Sequence, residues 1–159
     1  MNSIGAIILA CFAVAWVAAG THQLDRRWFG LLFVTAMLIS VAIVVAATRI
    51  PFGRHSAGFD GRIYGIFVTL EAVAIICTVV LLRRLDAKQY VIPVIAFIVG
   101  VHFFGMVPAL HSNLFWWVGA AMCVLSLAMM SILSQRFWAP VVSVGCALIL
   151  WLSALRAFF

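Results

Sequence analysis

One acidic residue, Glu71, lies inside a long apolar stretch of the sequence. A carboxylate near the middle of a membrane-spanning helix costs a few kcal/mol on insertion scales unless it is protonated, paired or hydrated. Such a residue is expected to face the interior of a helix bundle, where it binds protons, contacts a substrate or holds helices together.

His102 is the natural partner for Glu71. Glu71 lies eight residues after Ile63, the predicted start of its span, and His102 lies eight residues before Leu110, the predicted end of the next span. Because consecutive spans are antiparallel, these two ends share one side of the membrane. A rise of about 1.5 Å per residue puts both side chains about 12 Å below that side. The equal depth makes a hydrogen bond or ion pair between them sterically feasible.

Two further polar residues share the helix face of Glu71. Tyr64, Glu71 and Thr78 recur every seven residues and so form one polar stripe. We predict that this stripe and His102 contact a proton or a substrate. The alternative is that Glu71 and His102 form only a structural bond between helices, since intramembrane polar residues serve both purposes.

Small and helix-bending residues surround His102 on its span. Gly100 and Gly105 flank it, while Pro93 and Pro108 lie near the two ends. Gly105 permits close approach of another element at the turn after His102. A proline-bent helix with a central histidine is typical of helices that line transporter cavities, although a bent packing helix has the same pattern.

The elements that must position these residues are membrane-spanning helices. Hydrophobic residues make up 67% of the 159-residue chain and charged residues 9%, against about 45–50% and about 25% in soluble domains. A soluble domain of this length cannot hide so much apolar surface, so the composition excludes soluble and disordered proteins. The net charge of +6 lies in short segments between apolar runs, which is typical of loops beside lipid headgroups and not of nucleic-acid binding.

Six apolar stretches are long enough to cross a bilayer, which needs about 20 residues per helix. Of the ten Lys and Arg and four Asp and Glu residues, Glu71 alone lies inside one of these stretches. The fold predicted is all-α: a polytopic membrane protein, a compact bundle of six transmembrane helices with short loops, forming one domain over residues 1–159. The predicted spans are residues 2–20, 29–47, 63–82, 91–110, 114–133 and 137–155.

The distribution of basic residues indicates an orientation. The first, third and fifth connections carry six Lys and Arg, and the opposite side of the membrane carries four. The positive-inside rule then places both termini outside the cytoplasm, and the small difference leaves dual topology as an alternative.

A basic connection follows the second span. Arg49, Arg54 and Arg62 lie within it, where they could contact an anion or a lipid headgroup, or belong to an ordinary solvated loop.

No pattern indicates a cofactor, a metal site or a catalytic mechanism. Haem with two histidine ligands needs two imidazoles at one depth, and His102 is the one histidine deep in a span. The four cysteines form no CxxC motif, and no nucleophile–base pair or phosphate-binding loop is recognisable. We therefore expect no enzymatic activity, no cofactor, no metal and no nucleic-acid partner.

The segment around His102 resembles a pattern found in small bacterial multi-spanning membrane proteins. Gly100-Val101-His102-Phe103 forms a G-x-H-F motif, which Pro108-Ala109-Leu110 follows. In those proteins an intramembrane Glu lies on the preceding helix, as Glu71 does here, and a W/Y-x-x-G helix start comes next, as Trp116 to Gly119 does here. The resemblance covers about a third of the chain, and Pro108 is further from His102 than in the pattern. It implies a bacterial envelope protein and supplies no activity.

These patterns together predict a small protein of the bacterial inner membrane that is a proton-responsive carrier or is channel-like, with Glu71 and His102 as its site. Two alternatives stand beside it: a structural or accessory membrane subunit whose Glu–His pair only fixes helix packing, and a lipid-binding membrane protein. The expected partners are the lipid bilayer, a proton or small solute, and a second copy in a homodimer.

Overall fold

The structure, a computed structural model, describes residues 3–22, 24–49, 60–110, 112–156 and 158. These described residues form helices, and they contain no strand. The prediction of an all-α membrane protein with six long helices is confirmed. The helices are α1 (Ser3–Thr21), α2 (Arg26–Thr48), α3 (Gly61–Arg84), α4 (Val91–Leu110), α5 (Leu114–Ile132) and α6 (Gln135–Leu155).

The protein is a multi-pass membrane protein. Five of its helices, α2 to α6, are long and apolar enough to cross a bilayer, and α1 is apolar over Gly5–Thr21. That stretch is at the lower end of the length that spans a hydrocarbon core, which is about 17–25 residues. A 3₁₀ helix over Lys88–Tyr90, which the sequence pattern did not predict, leads into α4.

The helices α2, α3 and α6 extend beyond the predicted apolar spans into polar flanking residues. At the start of α3 the reason is a cap, because Asp60 Oδ1 accepts hydrogen bonds from the backbone N–H groups of Arg62 and Ile63 at 3.0 and 3.1 Å. At its end, Arg83 and Arg84 lie in the last turn, where cations interact favourably with the helix dipole. Hydropathy alone marks the hydrocarbon-crossing part of a helix and misses these ends.

The described residues fall into two compact units. The first comprises those of Met1–Ser56 and Ser143–Phe159, and the second those of Ala57–Val142. In the first unit α1 packs against α2. There Ser40 Oγ donates to the carbonyl oxygen of Ala10 at 2.9 Å and accepts from Trp151 Nε1 at 2.9 Å, so one buried hydroxyl joins α2 to α1 and to the end of α6.

In the second unit α4 packs against both α3 and α5. Its contact with α5 is antiparallel and in register along the helix. Ser126 Oγ donates to the carbonyl oxygen of Pro93 at 2.6 Å, and the Phe104 and Trp116 rings meet with centroids 5.0 Å apart near the other end. Pro93 lies in the first turn of α4, where a missing N–H leaves no intrahelical hydrogen bond unmade.

Between these two contacts the backbones of α4 and α5 cross at a pair of glycines. A Cβ placed on Gly119 would lie 2.6 Å from the carbonyl oxygen of Gly100, and one placed on Gly100 would lie 2.7 Å from Cys123 Sγ and 3.0 Å from the carbonyl oxygen of Gly119. Small residues at such crossings let transmembrane helices approach closely. The Gly100–Gly119 crossing therefore sets the distance between α4 and α5.

We expect Gly119→Ala to lower the free energy of unfolding by about 1–3 kcal/mol, the usual cost of overpacking a close contact. The added methyl meets a backbone oxygen, which cannot rotate away. The measurement is reversible unfolding in mixed micelles. Gly65→Ala on α3 is the control, since its added methyl meets nothing within 4 Å, and its stability should be unchanged or raised by up to about 1 kcal/mol. Equal stability of the two variants would contradict the crossing.

Candidate functional site: a glutamate–histidine pair between α3 and α4

Glu71 on α3 and His102 on α4 meet inside the second unit. Glu71 Oε2 lies 3.5 Å from His102 Nε2, and the two side chains are 17% and 7% exposed. The contact that equal depth made feasible is therefore present. The antiparallel packing of α3 on α4 produces it, and the backbone N–H of Asp60 marks the same alignment at the helix ends by donating to the carbonyl oxygen of Ala109 at 3.1 Å.

The second ring nitrogen of His102 also has a partner on α3. His102 Nδ1 lies 3.2 Å from the carbonyl oxygen of Phe67, one helical turn before Glu71. A carbonyl oxygen can only accept a hydrogen bond, so Nδ1 is the donor. Both ring nitrogens of His102 therefore face α3, and the imidazole bridges the two helices.

The separation of the two side chains determines what chemistry the pair can do. At 3.5 Å, Oε2 and Nε2 are within ion-pair range but further apart than the about 2.7–3.2 Å of a typical N–H···O hydrogen bond. A proton can lie on the carboxyl group, which then donates to Nε2, or on the imidazole, which then donates to the carboxylate. The arrangement can thus hold and exchange a proton, and it can also join α3 to α4.

Aromatic rings surround the imidazole. The Phe67 and Phe103 rings approach His102 edge-on, with centroids 6.3 and 6.1 Å away, and Phe103 stacks on Phe115 of α5 at 5.8 Å. An apolar environment of this kind strengthens electrostatic interactions inside it. The rings therefore strengthen the electrostatic interaction between Glu71 and His102.

Gly105 makes room for one of these rings. A Cβ placed on Gly105 would overlap the Phe67 ring at Cε1 and Cδ1. The close approach suggested for Gly105 by the sequence is therefore an approach of the Phe67 side chain. It occurs one turn after His102, on the helix that carries the imidazole.

The other two residues of the predicted polar stripe lie on α3 on either side of Glu71, Tyr64 before it and Thr78 after it. Tyr64 and Thr78 are both half-buried. Each is seven residues from Glu71, which corresponds to about 10 Å of rise along the helix axis. Their part in a path to the Glu71–His102 pair stays a prediction.

The structure describes two of the three arginines predicted to bind an anion or headgroup, and they belong to different units. Arg49 is the exposed C-cap of α2 in the first unit, and Arg62 is exposed in the first turn of α3 in the second unit. Arg54 lies outside the described residues. A basic binding site in this connection stays a prediction as well.

The remaining His, Cys, Asp and Glu side chains are the other candidate metal ligands. No group of three or more His, Cys, Asp or Glu side chains that could hold a metal ion occurs among the residues described. Cys11, Cys77, Cys123 and Cys146 are free thiols, and the Cys123 thiol donates to the carbonyl oxygen of Phe97 at 3.7 Å. The pair of Glu71 and His102 therefore remains the candidate site.

The backbone carbonyl of Phe67 is the site group that sequence reasoning missed. A main-chain oxygen carries no residue-type signal, because every residue has one. The available signal was indirect. Gly105 leaves space for a side chain from another helix, and Phe67 lies one turn from Glu71 on the facing helix.

Comparisons with protein-family models, with curated proteins and with solved structures found no match for this chain.

We expect a double-mutant cycle with Glu71→Leu and His102→Leu to give a favourable coupling energy of about 0.5–2 kcal/mol, the range of polar contacts between transmembrane helices. The reason is that each side chain is buried against the other. The measurement is unfolding of the four proteins in mixed micelles.

The matched control is the exposed ion pair of Asp86 and Lys88, whose atoms are 3.9 Å apart and whose side chains are 94% and 71% exposed. A cycle with Asp86→Asn and Lys88→Gln should show no measurable coupling, because exposed pairs contribute little. A Glu71–His102 coupling no larger than that of the control would contradict the buried contact.

Proposed function

We propose that this protein is a small proton-responsive carrier, or a channel-like protein, in which Glu71 and His102 form the proton-binding group. The observation that carries the proposal is the 3.5 Å contact between Glu71 Oε2 and His102 Nε2 within two membrane-spanning helices. Ionisable residues at such depth are costly, and they mark ion and proton pathways in many membrane proteins.

The chemistry of the pair supports a proton over a larger charged ligand. Carboxylate and imidazole side chains form the intramembrane proton relays of pumps and transporters, and the imidazole is the side chain that ordinarily titrates near neutral pH. Their mutual contact provides one acceptor for each possible donor. A change in the proton content of the pair changes the strength of the bond between α3 and α4, which is how proton binding would be coupled to a change in helix packing.

We propose the bacterial inner membrane as the location, on the resemblance of the segment from Glu71 to Gly119 to small bacterial membrane proteins. In the second unit, the end at which α3 stops and α6 begins carries Arg83, Arg84, Lys88 and Arg136, and the opposite end carries Arg62. The Tyr90 and Trp138 rings lie at the same end, with centroids 5.1 Å apart. Since Tyr and Trp are enriched at membrane–water interfaces, they support an interfacial position for this end. The positive-inside rule places it in the cytoplasm and both termini outside.

A second candidate function is a structural or accessory membrane subunit. The observation that favours it is the bond from His102 Nδ1 to the Phe67 carbonyl oxygen, which gives the imidazole two contacts with α3 and fits a packing role. A third candidate function is lipid binding, with a headgroup contacting Arg49, Arg54 or Arg62. A small-solute substrate and a homodimer are further proposals. The two leading functions differ in what happens when the pair is neutralised without being removed.

Purified protein in liposomes containing a pH-sensitive dye tests this difference. We expect the wild type to accelerate proton entry after an external acid step, and we expect Glu71→Gln and His102→Ala each to reduce entry to the rate of protein-free liposomes. Glu71→Gln keeps the size and the hydrogen-bonding capacity of the side chain and removes only its titration. The packing function predicts instead that Glu71→Gln retains the wild-type flux while His102→Ala lowers the melting temperature.

Two matched controls guard the flux experiment. Asp86→Asn makes the same acid-to-amide change at an exposed turn residue, and asparagine tolerates its φ of 51°. His22→Ala removes an exposed imidazole at the end of α1. Both should retain wild-type flux. A wild-type flux equal to that of protein-free liposomes would refute the carrier proposal.

The orientation is tested by labelling with a membrane-impermeant maleimide in a variant whose four native cysteines are replaced by alanine. Lys88→Cys and Asn113→Cys place one exposed thiol at each end of the second unit. We expect Asn113→Cys to be labelled in intact cells and Lys88→Cys only after permeabilisation. The reverse pattern would invert the orientation, and labelling of both in intact cells would show dual topology.

A further inference from the structure

We propose that the Glu71–His102 pair binds one exchangeable proton between Oε2 and Nε2, and that Phe67 and Gly105 are the positioning residues that keep Nε2 available for it. The inference rests on the proposed function, in which this pair is the proton-binding group, and adds the histidine tautomer and the residues that determine it. It starts from the two contacts of the imidazole, at 3.2 and 3.5 Å.

The Phe67 carbonyl determines the tautomer of His102. The carbonyl oxygen has no hydrogen to donate, so the 3.2 Å contact requires the hydrogen to be on Nδ1. A neutral imidazole carries one N–H group, and the lone pair is therefore on Nε2. Nε2 is the nitrogen that faces Glu71 Oε2. The basic nitrogen of the ring is thus presented to the carboxyl group.

This tautomer favours a single proton between the two side chains. With one proton, either the carboxyl O–H donates to Nε2 or the imidazolium N–H donates to the carboxylate, and the two forms differ only in the proton's position. Loss of that proton to water leaves a carboxylate facing a lone pair, which sets two acceptors against each other. Gain of another proton gives a neutral carboxyl group beside an imidazolium, so the imidazolium N–H can donate only to an uncharged oxygen and the ion pair is lost.

The charged and titratable groups near the imidazole are few. From α3, Glu71 faces Nε2. On the opposite side of α4, the sequence of α5 contains no Asp, Glu, Lys, Arg or His, and its thiol, Cys123, is directed to the carbonyl oxygen of Phe97. Among the described residues of α3, α4 and α5, Glu71 is therefore the acidic group that faces His102.

A metal cation fits this site poorly. Cations such as Ca²⁺ and Mg²⁺ require about six oxygen ligands, whereas here the Phe67 carbonyl oxygen is already occupied by Nδ1–H. The described residues contain no group of three His, Cys, Asp or Glu side chains that could hold a metal. A proton needs only the donor–acceptor pair that is present.

Gly105 acts through Phe67. The Phe67 ring occupies the space where a Cβ on residue 105 would lie, so the missing side chain of Gly105 allows α3 to approach α4 at this level. Alanine at position 105 would displace the ring, and with it the Phe67 backbone, away from His102. The Nδ1 hydrogen would then lose its acceptor, and both tautomers would become accessible.

Nitrogen-15 NMR of the histidine ring reads the tautomer directly. Replacing His22, His55 and His111 by glutamine leaves His102 as the one imidazole of the four. In this background, reconstituted in lipid and studied where His102 is neutral, we expect a pyrrole-type signal from Nδ1 and a pyridine-type signal from Nε2. Gly105→Ala should remove this pattern and give a mixture of tautomers.

Two further variants separate positioning from general loss of packing. Gly100→Ala adds the same methyl to the same helix but meets Cys123 and Gly119 on α5, so it should keep the wild-type tautomer. Phe67→Ala combined with Gly105→Ala removes the clashing ring while retaining the backbone carbonyl, and it should restore the Nδ1 pattern.

The proposal is overturned if the parent background carries its hydrogen on Nε2, if Gly105→Ala leaves the pattern unchanged, or if Gly100→Ala disturbs it as much as Gly105→Ala does. Its failure is distinguishable from failure of the proposed function. The expected tautomer without proton flux would refute the carrier and leave the positioning intact. Proton flux that Glu71→Gln abolishes, together with the opposite tautomer, would retain the carrier and refute the positioning.

Discussion

A carboxyl group in the middle of a membrane-spanning helix needs a partner, and this requirement organises the second unit of the protein. Glu71 finds its partner in His102, at 3.5 Å, and the imidazole needs a second partner in turn because it has two ring nitrogens. The Phe67 carbonyl oxygen supplies it. The partly buried acid is thus matched by a histidine on the next helix, by a main-chain oxygen one turn away that binds this histidine, and by a glycine that lets the two helices approach.

The sequence predicted the helices and the equal depth of Glu71 and His102, because both depend on periodic or additive properties. Apolar runs locate spans, and equal counts from facing helix ends place Glu71 and His102 at one depth. The sequence could not predict which faces of α3 and α4 meet, because each helix carries apolar residues on every side, and any of these sides could face lipid. It also could not reveal the Phe67 carbonyl, since every residue has one, or the Ser40 hydroxyl that joins Ala10 and Trp151, whose members are far apart in the chain.

Helix ends were predicted less well than helix centres, for a physical reason. Hydropathy reports where lipid replaces water, whereas a helix continues as long as its backbone hydrogen bonds and caps allow. α3 therefore begins at its Asp60 cap and ends beyond Arg83, outside the apolar run on both sides. The basic connection is a different case: Arg49 caps the end of α2 and Arg62 lies in the first turn of α3, and neither position follows from hydropathy.

The glycine crossing of α4 and α5 has a mechanical consequence. Because Gly100 and Gly119 put the two backbones almost in contact, these helices form a stiff hairpin that cannot shear without steric overlap. α3 has no fully buried residue, and its contacts with α4 include the Glu71–His102 pair, the Phe67 ring against Gly105 and the Asp60–Ala109 hydrogen bond. A movement of α3 relative to α4 would therefore separate Glu71 from His102 and withdraw the Phe67 ring from Gly105.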